Sequence, residues 1–254
     1  MEKKIKLDKL EIRYFQEGKK APLILLHGWG KSGRVYSFLQ RYCRQEFCSA
    51  ALDLPGFGQS PLPPETWGVR EYADSVFNFA EKKKWGSFYL LGHSFGGRIA
   101  LEMAISHPER IKKLILTGVP VLRKSSFKRC LFWLIAKSAG LFFKIPPFSF
   151  SKKFFSKVLY HFTGERDYSQ TSGRLRQIFK KVINYDPRSG LHEIKVPTLI
   201  VWGEDDKVTP LKNAFFLNEK IKNIQLKIVK KANHKLPYQK PKEFARIVLG
   251  FLKG

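Results

Sequence analysis

The sequence predicts an α/β protein: a mostly parallel, doubly wound sheet with a helical segment inserted between two of its strands. Three observations carry this. Short apolar runs of strand length alternate with helix-length amphipathic patterns. The runs are rich in Leu, Ile and Val and show little polar alternation, as strands covered on both faces do. One long stretch, residues 121–190, breaks the rhythm and contains no strand-like run.

Taken in order, IKLDKLEIRYF near the start alternates charged and apolar residues and reads as an edge hairpin. PLILLHG (22–28) is a short apolar strand. CSAALDLPG (48–56), FYLLGHS (88–94), KLILTGVP (113–120), PTLIVWG (197–203) and IQLKIVK (224–230) are the further strands. Helical patterns cover 69–84, then 96–106 up to Pro108, then 211–221, and the segment KEFARIVLGFLK after Pro241. A sheet built this way collects its functional loops at the carboxyl ends of its strands. The expected division is a core of residues 1–120 and 191–254 with a helical lid at 121–190. That lid holds ten of the 22 phenylalanines and 15 Lys or Arg against three acids (Glu165, Asp167 and Asp186).

Length and composition bound the function. The 254 residues, 43% hydrophobic, suffice for one large domain with a buried core. A net charge of +26 favours polyanions, acidic membranes or anionic substrates as partners. It fits equally well a general basic bias, since lysines run along the whole chain. Three cysteines (Cys43, Cys48, Cys130) without metal-ligand spacing suit a reducing compartment and no disulfide framework. The first fifteen residues lack the apolar core of a signal peptide, so a cytoplasmic location is expected. The segment LFWLIAKSAGLFF (131–143) is interrupted by Lys137 and Gly140 and is too short to span a bilayer.

The chemistry concentrates at Gly92-His93-Ser94-Phe95-Gly96, between a strand and a helix. A bare G-x-S-x-G is weak, because chance supplies one in roughly a tenth of chains this long. The strand–turn–helix setting adds weight: a serine on a sharp turn needs tiny second neighbours. Its hydroxyl also needs a base and a group that orients the base. Glu204-Asp205-Asp206 follows one strand, and Asn233-His234 follows the next. Ser, acid and His thus arise from three strand tips on one sheet edge.

The segments HGWG (27–30), DLPGFGQS (53–60), GHSFGG (92–97), SHPERIKKLIL (106–116), PTLIVWGEDDKVTP (197–210) and NHKLPYQKPKEF (233–244) together resemble the α/β-hydrolase superfamily, serine branch with a helical lid, along almost the whole chain. The resemblance implies a catalytic triad of Ser94, Asp206 and His234. The family's acid lies three residues past the glycine ending its strand and four before a proline, which selects Asp206 over its runner-up Asp205. Asn233 stands where the family commonly has glycine. The HGWG turn resembles the family's oxyanion loop, so the backbone N–H groups of Trp29 and Phe95 are expected at the oxyanion. The Trp29 side chain would narrow the pocket.

Other readings are plainer. His27 and His93 read as structural, and His107, His161 and His192 as surface or helix-end residues. The six histidines show no metal spacing, so no metal is expected. DLPGFGQS lacks the G-x-G-x-x-G order of a dinucleotide site and reads as a turn beside the pocket. No cofactor is expected. The lid's phenylalanines either line a pocket or, interleaved with Lys144, Lys152, Lys153 and Lys157, rest weakly on an anionic membrane surface. No nucleic-acid motif accompanies them, so no specific nucleic-acid partner is expected.

The expected activity is hydrolysis of a small-molecule carboxylic ester or lactone through an acyl-enzyme. A serine at the elbow disfavours the related epoxide-hydrolase and dehalogenase branches, whose nucleophile is a carboxylate. One alternative is carbon–carbon bond hydrolysis of a β-diketone-like substrate by the same triad. The alternative from another class is a non-catalytic or membrane-associated binding protein on the same fold.

Overall fold

A computed structural model describes residues 1–8, 10–122 and 171–254. The chain divides into two compact units, residues 1–121 with 173–254, and residues 122–172. The apolar segment 131–143, Cys130, His161 and the lid phenylalanines from Phe142 to Phe155 lie outside the described residues.

Eight strands form one sheet: β1 (Glu2–Leu7), β2 (Leu10–Glu17), β3 (Ala21–Leu26), β4 (Phe47–Leu52), β5 (Phe88–His93), β6 (Ile111–Thr117), β7 (Thr198–Gly203) and β8 (Ile224–Val229). Their order is β1-β2-β4-β3-β5-β6-β7-β8. The first hairpin is antiparallel and joins the edge through β2 and β4. All the remaining pairings are parallel. Every residue of β4 and β7 is buried, which accounts for their largely apolar runs.

The described helices are α1 (Ser37–Cys43), α2 (Val69–Lys82), α3 (Phe95–Ser106), α4 (Gly173–Asn184), α5 (Lys212–Lys220), α6 (Leu236–Gln239) and α7 (Pro241–Lys253). On one face of the sheet, Tyr36, Leu39 and Cys43 of the α1 region and Phe244, Val248 and Leu252 of α7 pack over Leu25, Leu91, Ile115 and Val201. Helices α2 and α3 pack together, and α3 lies against β5 and β6. Sequence patterning gave no element for α1. It spans only seven residues, SFLQRYC, two of them aromatic, and its start has no side-chain cap.

Two features position the site. In register, Leu26 of β3 pairs with Gly92 of β5, and His93 with Thr117 of β6. Further along, Gly203 of β7 pairs with Val229 of β8. The carboxyl ends of the central strands therefore finish level on one edge. The chain also reverses its direction of travel at β3, going first outward to β4 and then back to β5. That reversal opens a crevice between the ends of β3 and β5.

Cys43 and Cys48 are buried free thiols. Among the described residues no helix is long and apolar enough to cross a membrane, and no cluster of His, Cys, Asp or Glu could hold a metal ion.

Candidate active site

Ser94 lies between β5 and α3 with φ 53° and ψ −109°, outside the regions a side-chain-bearing residue favours. Such a conformation costs on the order of 1–3 kcal/mol and persists only where the surroundings impose it. The surroundings are visible. The Ser94 N–H donates to Thr117 O (2.9 Å) and the Gly96 N–H to His27 O (3.1 Å). A Cβ on Gly92 would run into the Gly96 carbonyl, and one on Gly96 into the Leu26 carbonyl. Both positions must be glycine for the turn to close. Ser94 itself is half-buried at the strand tip.

The loops that carry Asp206 and His234 are joined to each other. Asp205 N–H donates to Ala232 O (2.8 Å), and Glu204 N–H to Val229 O (3.0 Å). The Asp206 side chain is 1% exposed and that of His234 15% exposed, with Nδ1 2.8 Å from Oδ2. Asp205, by contrast, is exposed. Burial pushes the Asp206 carboxyl up, but the hydrogen bond and charge of His234, with two donors from Thr209, outweigh it and hold the group below its ordinary value. The carboxylate is anionic, so the shared proton sits on Nδ1 and the Nε2 lone pair of His234 is left for a partner. Where the family pattern has glycine, the Asn233 side chain accepts the Lys235 N–H (2.8 Å) and shapes the turn around His234.

The HGWG turn meets the elbow directly. A Cβ on Gly28 would lie 3.3 Å from the Ser94 Cβ. The Trp29 ring packs edge-on against Phe57 (4.8 Å between centroids), Phe95 (5.2 Å) and Phe179 of α4 (4.8 Å). Phe57 belongs to DLPGFGQS, whose turn is closed by Asp53 accepting the Gly33 N–H (2.7 Å) and the Gln59 N–H (2.9 Å). Trp29, Phe95 and the DLPGFGQS turn are thus brought together beside Ser94.

Residues 21–140 match the family model described as alpha/beta hydrolase fold. The chain has the α/β-hydrolase fold, and its similarity to relatives along nearly its whole length supports the α/β-hydrolase superfamily. Its relatives include a pimeloyl-[acyl-carrier protein] methyl ester esterase of Aeromonas hydrophila, 27% identical over 92% of this chain and 96% of the relative. A 2-hydroxy-6-oxo-6-phenylhexa-2,4-dienoate hydrolase of Comamonas testosteroni is also 27% identical, over 95% of this chain and 91% of the relative. Among solved structures, a membrane phospholipase A, titled a bacterial virulence factor, superposes with a TM-score of 0.79 at 28% identity. That match covers all of this chain and 86% of the other. Esterases and carbon–carbon hydrolases both occur among the relatives, which supports the hydrolase class.

Two histidines of the hydrolase are fully buried. His27 donates from Nδ1 to Gly28 O (2.8 Å) and accepts the Leu54 N–H at Nε2 (3.1 Å), pinning the HGWG turn to the end of β4. His93 donates from Nε2 to His234 O (2.9 Å), tying the His234 loop to the residue before Ser94. Burial is the main cause that lowers His27 to about 4 and His93 to about 3, with the nearby His234 adding to the latter. Both are therefore neutral in the fold at pH values where the unfolded chain protonates them. Stability is fully present above pH 6.5 and declines as pH falls towards 4, because the unfolded state binds more protons. From pH 6.5 to 5 the pair should cost about 3 kcal/mol. Urea midpoints measured across that range should fall steadily, whereas a flat profile would contradict the buried, neutral assignment.

Thr209 is a site residue that sequence reasoning missed. Its backbone N–H (2.8 Å) and that of Val208 (2.9 Å) donate to Asp206 Oδ1. This is the side-chain-closed turn that an Asp favours. The signal was present in Asp206-Lys207-Val208-Thr209-Pro210, a hydroxyl residue three positions past an acid and just before a proline.

Proposed function

We propose that the hydrolase cleaves carboxylic esters or lactones through an acyl-enzyme formed on Ser94. The observation that carries this reading is the part-buried Asp206–His234 pair at 2.8 Å, tied by His93 to the residue before a serine held at positive φ on a strand-to-helix turn. In the proposed step His234 Nε2 takes the Ser94 proton while Oγ bonds the substrate carbonyl carbon. The carbonyl π electrons move to oxygen, and the N–H groups of Trp29 and Phe95 stabilise that oxyanion. The intermediate then collapses, the carbon–oxygen bond to the alcohol breaks, and the imidazolium proton goes to the leaving oxygen. Water deprotonated by His234 repeats the sequence and releases the acid.

The aromatic wall of Trp29, Phe57 and Phe95 favours an apolar or small aromatic acyl group. The insertion 121–190 is proposed as a lid, and the +26 charge would raise the on-rate of anionic esters. A cytoplasmic location and a weak lid contact with anionic membrane stand as part of the same proposal. A second reading, carbon–carbon bond hydrolysis, draws on the Comamonas relative and uses the same three residues.

The test is a panel run with wild type and Ser94→Ala side by side. It contains p-nitrophenyl esters of increasing acyl length, lactones and a ring-fission dienoate. Turnover of esters or lactones by wild type alone, graded by chain length, is the expected result. Preferential turnover of the dienoate would favour the second reading, and equal activity in both proteins would contradict the mechanism.

A further inference from the structure

The hydroxyl of Thr209 touches both members of the acid–base pair. Oγ1 lies 2.6 Å from Asp206 Oδ2 and 3.0 Å from His234 Nδ1. A hydroxyl has one proton and two lone pairs, and an ionised carboxylate can only accept. The Thr209 proton must therefore go to Asp206, which leaves an oxygen lone pair facing the His234 Nδ1–H. Asp206 Oδ2 and Thr209 Oγ1 share that single N–H from two sides. The remaining carboxylate oxygen is held by the backbone N–H groups of Val208 and Thr209.

We propose that Thr209 is a positioning residue for the base: its hydroxyl fixes the Asp206 carboxylate and holds His234 in the Nδ1–H tautomer with Nε2 free. The inference rests on the acyl-enzyme reading for its kinetic consequence, but not for its geometry. Thr209 is 2% exposed, so water does not readily replace the lost hydroxyl. Its main chain is anchored independently, because the Trp202 indole N–H donates to Thr209 O (2.8 Å). An isosteric change of the side chain should therefore leave the loop in place. Without the hydroxyl, Oδ2 loses a donor and the imidazole loses its second acceptor. The ring is then held less firmly, so Nε2 is less often oriented to take a proton.

The experiment compares wild type, Thr209→Val and Thr209→Ser by steady-state kinetics on the best ester and by the downfield proton NMR resonance of the His234 Nδ1–H. Thermal unfolding serves as the control for folding. Thr209→Val should lower kcat by roughly 10- to 100-fold, the range for losing a hydrogen bond to a charged group, with KM nearly unchanged. Its resonance should broaden or move. Thr209→Ser, which restores the hydroxyl without the methyl, should recover most of kcat and the wild-type resonance. Wild-type kcat and resonance in Thr209→Val would overturn the proposal. Failure of Thr209→Ser to recover either would do so too, by assigning the effect to packing of the methyl. If Ser94→Ala keeps full turnover, the acyl-enzyme reading falls, while the resonance comparison still decides the role of Thr209.

Discussion

Ser94→Ala should lower kcat for the best ester by on the order of 10⁴- to 10⁶-fold with KM little changed, because in the proposed mechanism the atom removed bonds covalently to substrate. The residual rate would come from the oxyanion donors of Trp29 and Phe95 and from substrate binding. Stability should not fall. Ser94 sits at φ 53° as a side-chain-bearing residue, and alanine adds no bulk to a half-buried strand tip. A variant that unfolds at the wild-type midpoint yet has lost turnover separates chemistry from folding. Retention of more than about a tenth of kcat would be incompatible with Ser94 as nucleophile.

Asp206→Asn has the second-largest expected effect, about 10⁴-fold in kcat. The amide can donate to Nδ1, which stabilises the wrong tautomer and places the proton on Nε2, where the lone pair is needed. It also removes the negative charge that, in the proposed mechanism, stabilises the imidazolium formed during attack. Two backbone donors, from Val208 and Thr209, would still hold the side-chain oxygen, so the loop should persist. The neighbouring Asp205→Asn is the control. Asp205 is exposed and contributes to the site mainly through its N–H to Ala232 O, which the substitution keeps. Its kcat should stay within about twofold of wild type. Equal losses from the two variants would mean that the acid is not uniquely Asp206.

Much of the sheet was legible because a strand buried on both faces is mostly apolar. TLIVWG and FCSAAL announce themselves, and the alternation in IKLDKLEIRYF marks the half-exposed hairpin at the edge. The elbow was legible for a steric reason: Gly92 and Gly96 are dictated by carbonyls that come too close for any Cβ. Helix α1 was not, since seven residues with two aromatics carry no periodicity strong enough to read. Nor was the part played by His93. Nothing in a sequence says that its Nε2 reaches the carbonyl of His234, 141 residues away. Thr209 stayed hidden for the same reason, because its importance depends on one oxygen standing between two side chains.

The most direct test of the central claim is covalent labelling of the native protein with a fluorophosphonate, followed by peptide mapping in a mass spectrometer. The account expects one adduct, on Ser94, absent from Ser94→Ala and much slower to form in Asp206→Asn. An adduct on a different residue, or no adduct in a folded protein that still turns over esters, would contradict it.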